Sequence, residues 1–434
     1  MNIKKCILFT TMATVLLSVV IVSCDKSADN ENIAKEETID NTVDSGGFEQ
    51  IVECGPLKLT KVQEGFIVAD NTFAVNLMSE MNSQYSDQGY FFSPISISTA
   101  LSMLLNGTQG ETAKEIMDVI GYGDDIDAVN DYCHQILSKS ASWDTTVTLQ
   151  TANAMVSNIN RSIKQSYSNI LKSEYLADVS SFDFSNSTQV MDYINGWCSE
   201  KTHGMIPRIL NEVSHNALLY ILNAIYFKGG WSSPFYKENT DNAKFTKDNG
   251  GIVDIQMMKK IDELNYSCLD GMSLLELPYG NGSFALQVLL PETGSSEQAL
   301  TSIKETGWNE LFSGLTKEKV YVSIPKFKVE QSYPYDMCPI MNALGMKRMF
   351  LPSIDFSPMT EELMSVSLIL HKAALTLDEE GSEASAATVI GMYTATPDHV
   401  TQMPNNVFLA DHSFYYAIVD KVNGLILFMG KYNG

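Results

Sequence analysis

The segment "LDEEGSEASAATVIGMYTATPDHVTQMPNN", Leu377 to Asn406, decides how this chain is read. It opens with three acids and a glycine, runs through small residues and ends in turn-forming ones. From Ser382, one alternate set is Ser382, Ala384, Ala386, Thr388, Ile390 and Met392, free of charge. The other set is Glu383, Ser385, Ala387, Val389, Gly391 and Tyr393, which begins with a charge and a hydroxyl. A period of two is the mark of a strand with one buried face. About twelve such residues, at ~3.3 Å each, would reach ~40 Å, enough to cross a large sheet. Yet Thr394, Ala395, Thr396, Pro397 and Asp398 read as exposed loop, and no turn pairs the segment with a neighbour. Half strand and half accessible loop predicts a switch.

Working outward, the chain has 434 residues and is 44% hydrophobic, ample for a large core. "DNTFAVNLMSEMNS" predicts a helix with Asp70 and Asn71 as cap candidates. "SISTALSMLLNG" and "STQVMDYINGWCSEKT" predict two more. Strands follow in "ALLYILNAIYFKG", "SLLELPYG", "FALQVLLP", "VYVSIPKF" and "GLILFMGKY". Helices early and strands late in one domain indicate α+β. No repeat period and no second linker is visible, so residues 57–434 are expected to form one large domain.

The first residues are not expected to join it. "MNIKKCILFTTMATVLLSVVIVSC" places Lys4 and Lys5 before an uncharged apolar run, which is a signal-peptide layout. Ile21–Cys24 resembles the lipobox of bacterial lipoproteins, so residues 1–23 are expected to be removed and Cys24 lipidated. From Asp25 to Glu53 the chain carries nine acids and two bases, so residues 24–56 read as a disordered acidic tether. These expectations place the protein in a bacterial cell envelope, held to the outer membrane or cell surface by its lipid alone. The formal net charge of −23 argues against nucleic acid and anionic membrane surfaces as partners.

A search for catalysis finds little. There is no G-x-S-x-G, H-E-x-x-H or P-loop. The six histidines do not pair at metal-ligand spacing, and no metal or cofactor is expected. His371 sits in the apolar run "LILHKAALTL", where a satisfied core histidine is the plain reading. Cys54, Cys133, Cys198, Cys268 and Cys338 are widely spaced, and small buried thiols are expected.

"EEGSEASAAT", Glu379 to Thr388, resembles the hinge of the reactive-centre loop in inhibitory serpins. The resemblance extends over nearly the whole body, through "FFSPISISTALSMLLNGTQGETAKEI", "LNAIYFKGGWSSPF", "LELPYGNGSFALQVLLPE", "IPKFKVEQSYPY" and "FLADHSFYYAIVDKVNGLILFMGKY" in serpin order. It implies three β-sheets, eight or nine helices and a loop displayed as bait. It implies a monomeric inhibitor whose partner is a serine protease, with no catalytic residues of its own. A protease acylated by the loop would be dragged along as the loop inserts into the main sheet. A binding or transport protein on the same fold is the alternative.

The resemblance also assigns residues. Glu379, Glu380, Gly381, Ser382, Glu383, Ala384, Ser385, Ala386, Ala387 and Thr388 form the hinge. Ser93, Ser96, Asn223 and His371 correspond to the shutter, a hydrogen-bonded group beneath the sheet, and Trp231 to the breach where insertion begins. Seventeen residues counted from Glu379 place the reactive bond at Ala395–Thr396, which suits an elastase-like enzyme. Thr394 and Tyr393 are the alternative P1 residues. The segment after Thr396 is several residues longer than the family pattern, which leaves the exact bond open.

Overall fold

The computed structural model describes residues 57–85, 87–139, 144–292, 296–329, 334–382 and 403–434. The expected signal and tether, the hinge from Glu383 to Thr388 and the reactive-bond candidates Tyr393 to Thr396 lie outside the described residues.

Nine helices occur among the described residues: α1 (Lys61–Tyr85), α2 (Pro94–Leu105), α3 (Gly110–Ile120), α4 (Ile126–Lys139), α5 (Gln165–Glu174), α6 (Ser187–Lys201), α7 (Ser296–Thr306), α8 (Trp308–Ser313) and α9 (Cys338–Leu344). The strands are β1 (Tyr90–Phe92), β2 (Val147–Asn158), β3 (Asp178–Phe182), β4 (Leu219–Gly230), β5 (Asp241–Thr246), β6 (Ile252–Leu269), β7 (Met272–Tyr279), β8 (Phe284–Pro291), β9 (Thr316–Val329), β10 (Tyr335–Asp336), β11 (Leu370–His371), β12 (Leu375–Leu377), β13 (Gly381–Ser382), β14 (Asn406–Leu409), β15 (Phe414–Asp420) and β16 (Leu425–Tyr432). The architecture is the expected α+β. The long strands β6 and β9 each pair with several neighbours and join the layers into one network of fourteen strands. Its main order is β1-β16-β15-β8-β7-β6-β9-β12-β13-β4-β2-β3, with β5 on β6 and β14 on β9.

Helix α2 is the central post. Pro94 starts it, and Ser93 caps it by accepting the Ser96 N–H. Nearly every residue of α2 is buried, as expected of a helix surrounded by other elements. It packs between β4 and β16. Strand β4 has two apolar faces. Ile225 and Phe227 join the main core, while Ala224 joins a second cluster built around Ile194 and Trp197 of α6. A strand buried on both faces is read from its near-continuous apolar run.

Two sequence expectations change. Helix α1 begins at Lys61, so Asp70 and Asn71 are interior rather than caps. The apolar stripe continues upstream through Phe66 and Ile67, and Asp70 turns inward to accept from Tyr122 (2.5 Å) and Tyr132 (2.6 Å). Burial pushes the Asp70 carboxyl up to about 6, against these hydrogen bonds. The run "LILHKAALTL" is two short pieces, β11 and β12, because they pair with different strands: β11 with β10, and β12 with β9. Of the cysteines, Cys133 and Cys198 are buried, whereas Cys268 is exposed and Cys338 half-buried. Cys54 lies outside the described residues.

Candidate functional site

The site is one edge of β4 and the turn seated at its end. Strand β4 pairs with β2 along Leu219–Gly229. On its other edge, among the described residues, only Gly229 and Gly230 are paired, with Ser382 and Gly381 of β13. From Leu219 to Lys228 that edge has no partner strand among the described residues. Ten residues of strand are about 33 Å of unpaired edge. An unpaired edge is a template for another strand. Below β13, a cavity of about 450 Å³ separates β4 from the segment leading through β11. Ser96, Leu101, Leu222, Asn223, Ile369 and His371 are among its lining residues.

That turn is the start of the hinge. Strand β12 runs along β9, the chain turns at Asp378–Glu380, and β13 returns between Leu377 and β4. Asp378 makes the turn by accepting the N–H groups of Glu380 (2.9 Å) and Gly381 (3.2 Å). Trp231 clasps it twice, donating from its backbone to Glu380 O and from its indole to Asp378 O, both at 2.9 Å. Gly381 is required here. Its φ is +153°, and a Cβ would lie 2.1 Å from Gly229 O.

Three side chains hold the turn. Glu379 is buried and accepts from Lys326 (2.7 Å) and Thr240 (2.9 Å). Burial works to raise its pKa, but the hydrogen bonds outweigh it and hold the carboxyl below its ordinary range. Glu380 pairs with Lys237 at 2.8 Å on the surface. Ser382 is fully buried, and its hydroxyl shares a 2.5 Å hydrogen bond with the Tyr279 hydroxyl. The Tyr279 ring stacks on Trp231, with centroids 4.5 Å apart.

Beneath the sheet, the shutter residues do not form a single hydrogen-bonded group. Ser93 donates its N–H to His371 Nε2 (3.0 Å) and its hydroxyl to Leu427 O (2.8 Å). A ring nitrogen that accepts carries no proton, so His371 is neutral with its hydrogen on Nδ1. Burial pushes its pKa down to about 4. Asn223 donates instead to Asn153 (2.7 Å), which donates to Tyr175 O (2.8 Å). The Ser96 hydroxyl and Asn223 Oδ1, like the hydroxyls of Thr151, Ser323 and Tyr416 elsewhere, are buried with no hydrogen-bond partner among the described residues. Unpaired buried polar atoms are uncommon, and each costs about 1–3 kcal/mol. The sequence reading missed Asn153, Tyr279 and Lys326, though Tyr279 and Lys326 lie in the quoted "LELPYG" and "IPKF". Among the described residues, no group of His, Cys, Asp or Glu is placed to hold a metal ion.

The body is a large α+β fold in which most of one edge of β4 has no partner strand among the described residues, with the Asp378–Gly381 turn at its head. The family comparison agrees: residues 68–434 match the model described as "Serpin (serine protease inhibitor)", and the chain belongs to the serpin family. Its members generally inhibit serine proteases rather than catalyse reactions. An uncharacterized serpin-like protein of Thermococcus kodakarensis is 33% identical over 366 residues, 84% of each chain. Among solved structures, the thermophilic serpin tengpin in its native state matches with a TM-score of 0.77 at 26% identity. That match covers 88% of this chain and 97% of tengpin. Human thyroxine-binding globulin complexed with thyroxine matches with a TM-score of 0.76 at 25% identity, over 85% of this chain and 98% of that one.

Proposed function

We propose that this serpin traps serine proteases covalently, with an elastase-like enzyme as its target. The observation that carries the reading is the β4 edge from Leu219 to Lys228, which has no partner strand among the described residues, with Ser382 seated at its upper end. The protease serine hydroxyl adds to the Ala395 carbonyl. The Ala395–Thr396 amide bond breaks, the Thr396 nitrogen takes the proton, and an ester joins the two proteins. The freed segment from Glu383 then zips down the β4 edge as a new strand. Insertion gains backbone hydrogen bonds and carries the ester away from water and from the donors that deacylation needs.

The hinge composition supports this. Ser382, Ala384, Ala386 and Thr388 are small and uncharged, as a face pressed onto α2 must be. The lipobox-like Ile21–Cys24 supports anchoring by a lipid on Cys24, with the folded body displayed on the cell envelope. Mass spectrometry of the mature N-terminus tests that anchor: a diacylated Cys24 is expected, and an intact Met1 contradicts it.

A second reading is a non-inhibitory binder, favoured by the likeness to thyroxine-binding globulin with its ligand. One experiment separates the two. The soluble body is mixed with pancreatic elastase and resolved on a denaturing gel with mass spectrometry. A stable complex with a released peptide starting at Thr396 is the expected result. Cleavage without a complex or a gain in thermal stability favours the binder.

A further inference from the structure

A second cleft, of about 620 Å³, lies beside the stem that carries the loop back into the body. Tyr266 and Cys268 of β6, Glu292 after β8, Glu318 of β9, and Val407 and Leu409 of β14 line it. Val407 and Leu409 are 44% and 43% exposed, so its floor offers apolar surface to a partner. Two carboxylates stand over that floor. Glu292 accepts from the Cys268 thiol (3.2 Å), and Glu318 accepts from Asn406 and Thr316 (both 3.3 Å). Neither has an ion-pair partner among the described residues. Strand alternation sends the adjacent Lys317 to the other face, toward Glu263 at 3.9 Å. His412 also lines the cleft, but its ring is engaged by Asp411 and Pro291 O.

The occupant follows by elimination and by position. The chain's own segment 383–402 contains no Lys or Arg, so it brings no permanent positive charge to these carboxylates. A second copy carries a formal charge of −23 and is repelled. The cleft lies ten residues downstream of Thr396, within about 35 Å of extended chain. An enzyme seated on the reactive bond is therefore tethered within reach of this cleft.

We propose that the cleft is a docking site for a cationic side chain, Lys or Arg, on the surface of the captured protease. The proposal rests on the inhibitory reading above. Docking there speeds encounter and favours proteases with a basic rim, without altering the covalent step.

The test uses pancreatic elastase as a basic probe and compares the wild type with the double variant Glu292→Gln/Glu318→Gln. The measured quantity is the second-order rate constant of complex formation at low and high salt. The wild type is expected to slow about tenfold as salt rises. At low salt the double variant is expected to react about tenfold slower than wild type, with a flattened salt dependence. Its inhibition stoichiometry and Tm should be unchanged. Equal rates and equal salt dependence in the two proteins overturn the docking site alone. Failure of the wild type to form any complex overturns the inhibitory reading and the docking site with it. A wild-type dimer in sedimentation that dissociates in the double variant assigns the cleft to a second copy instead.

Discussion

Two parts of one sheet are built in opposite ways. Strands β8 and β15 are buried at every position, and β15 is paired along its length with both β8 and β16. Strand β4 is paired on one edge and, among the described residues, has no partner for most of the other, and its Leu219–Asn223 stretch is only half-buried. The first region is a frame whose ladders are complete. The second adjoins the cavity lined by Asn223 and His371, with the glycine-dependent turn above it. On the inhibitory reading proposed above, the frame keeps the fold while the edge of β4 receives the loop.

The largest way to break this comparison is to charge the start of the hinge. Ser382→Arg must bury an unpaired cation beside Tyr279, at a cost of several kcal/mol. Elastase is then expected to cleave the loop without being trapped, with complex yield on a denaturing gel falling at least about 100-fold. A variant that still traps enzyme one-to-one would show that insertion does not pass through Ser382.

Next is the pivot. Gly381→Val places a Cβ against Gly229 O and forces φ out of +153°. It is expected to expel β13 from between β12 and β4, at about 1–3 kcal/mol. Amide exchange at Gly229 and Gly230 and a lowered Tm would report this.

Acid sharpens the contrast through His371. Its folded pKa of about 4 lies below the ordinary 6.5. Below pH 6.5 the unfolded chain takes up a proton that the folded protein refuses until about pH 4, so this contribution to stability is lost across that window. Asp70 and Asp420 act in the opposite sense. Their folded pKa values of about 6 lie above the ordinary 3.8, so their terms favour folding as pH falls from 6. The informative quantity is therefore a difference. Relative to His371→Gln, wild type should lose up to about 3 kcal/mol between pH 6.5 and 4, read by Tm at each pH. Parallel Tm profiles would contradict the buried neutral ring.

The smallest effect is also the least intuitive. Ser96→Ala removes a buried hydroxyl that has no hydrogen-bond partner among the described residues. It should leave Tm unchanged or raise it by about 1–2 °C, where losing a satisfied buried hydroxyl would lower it.

Much of this was legible in the sequence because local patterns matched the long elements. Helix α6 and strands β7, β8 and β16 fall within a residue or two of the quoted segments. Ser382 is buried, as the uncharged alternate set predicts, while the rest of the expected hinge, Glu383 to Thr388, lies outside the described residues. Partnership was not legible. Nothing near Glu379 in the chain announces Lys326 or Thr240, because those contacts are made by strands brought together from far away. Asp70 looked like a cap because its tyrosines lie more than fifty residues downstream.

The most direct measurement is amide exchange along β4 before and after the loop is cut by a protease. The amides of Leu219–Lys228 that do not bond β2 should exchange readily in the intact protein. After cleavage they should become strongly protected, and Tm should rise steeply as a new strand pairs with that edge. Unchanged exchange there, with an unchanged Tm, would contradict the claim that the β4 edge is where the loop goes.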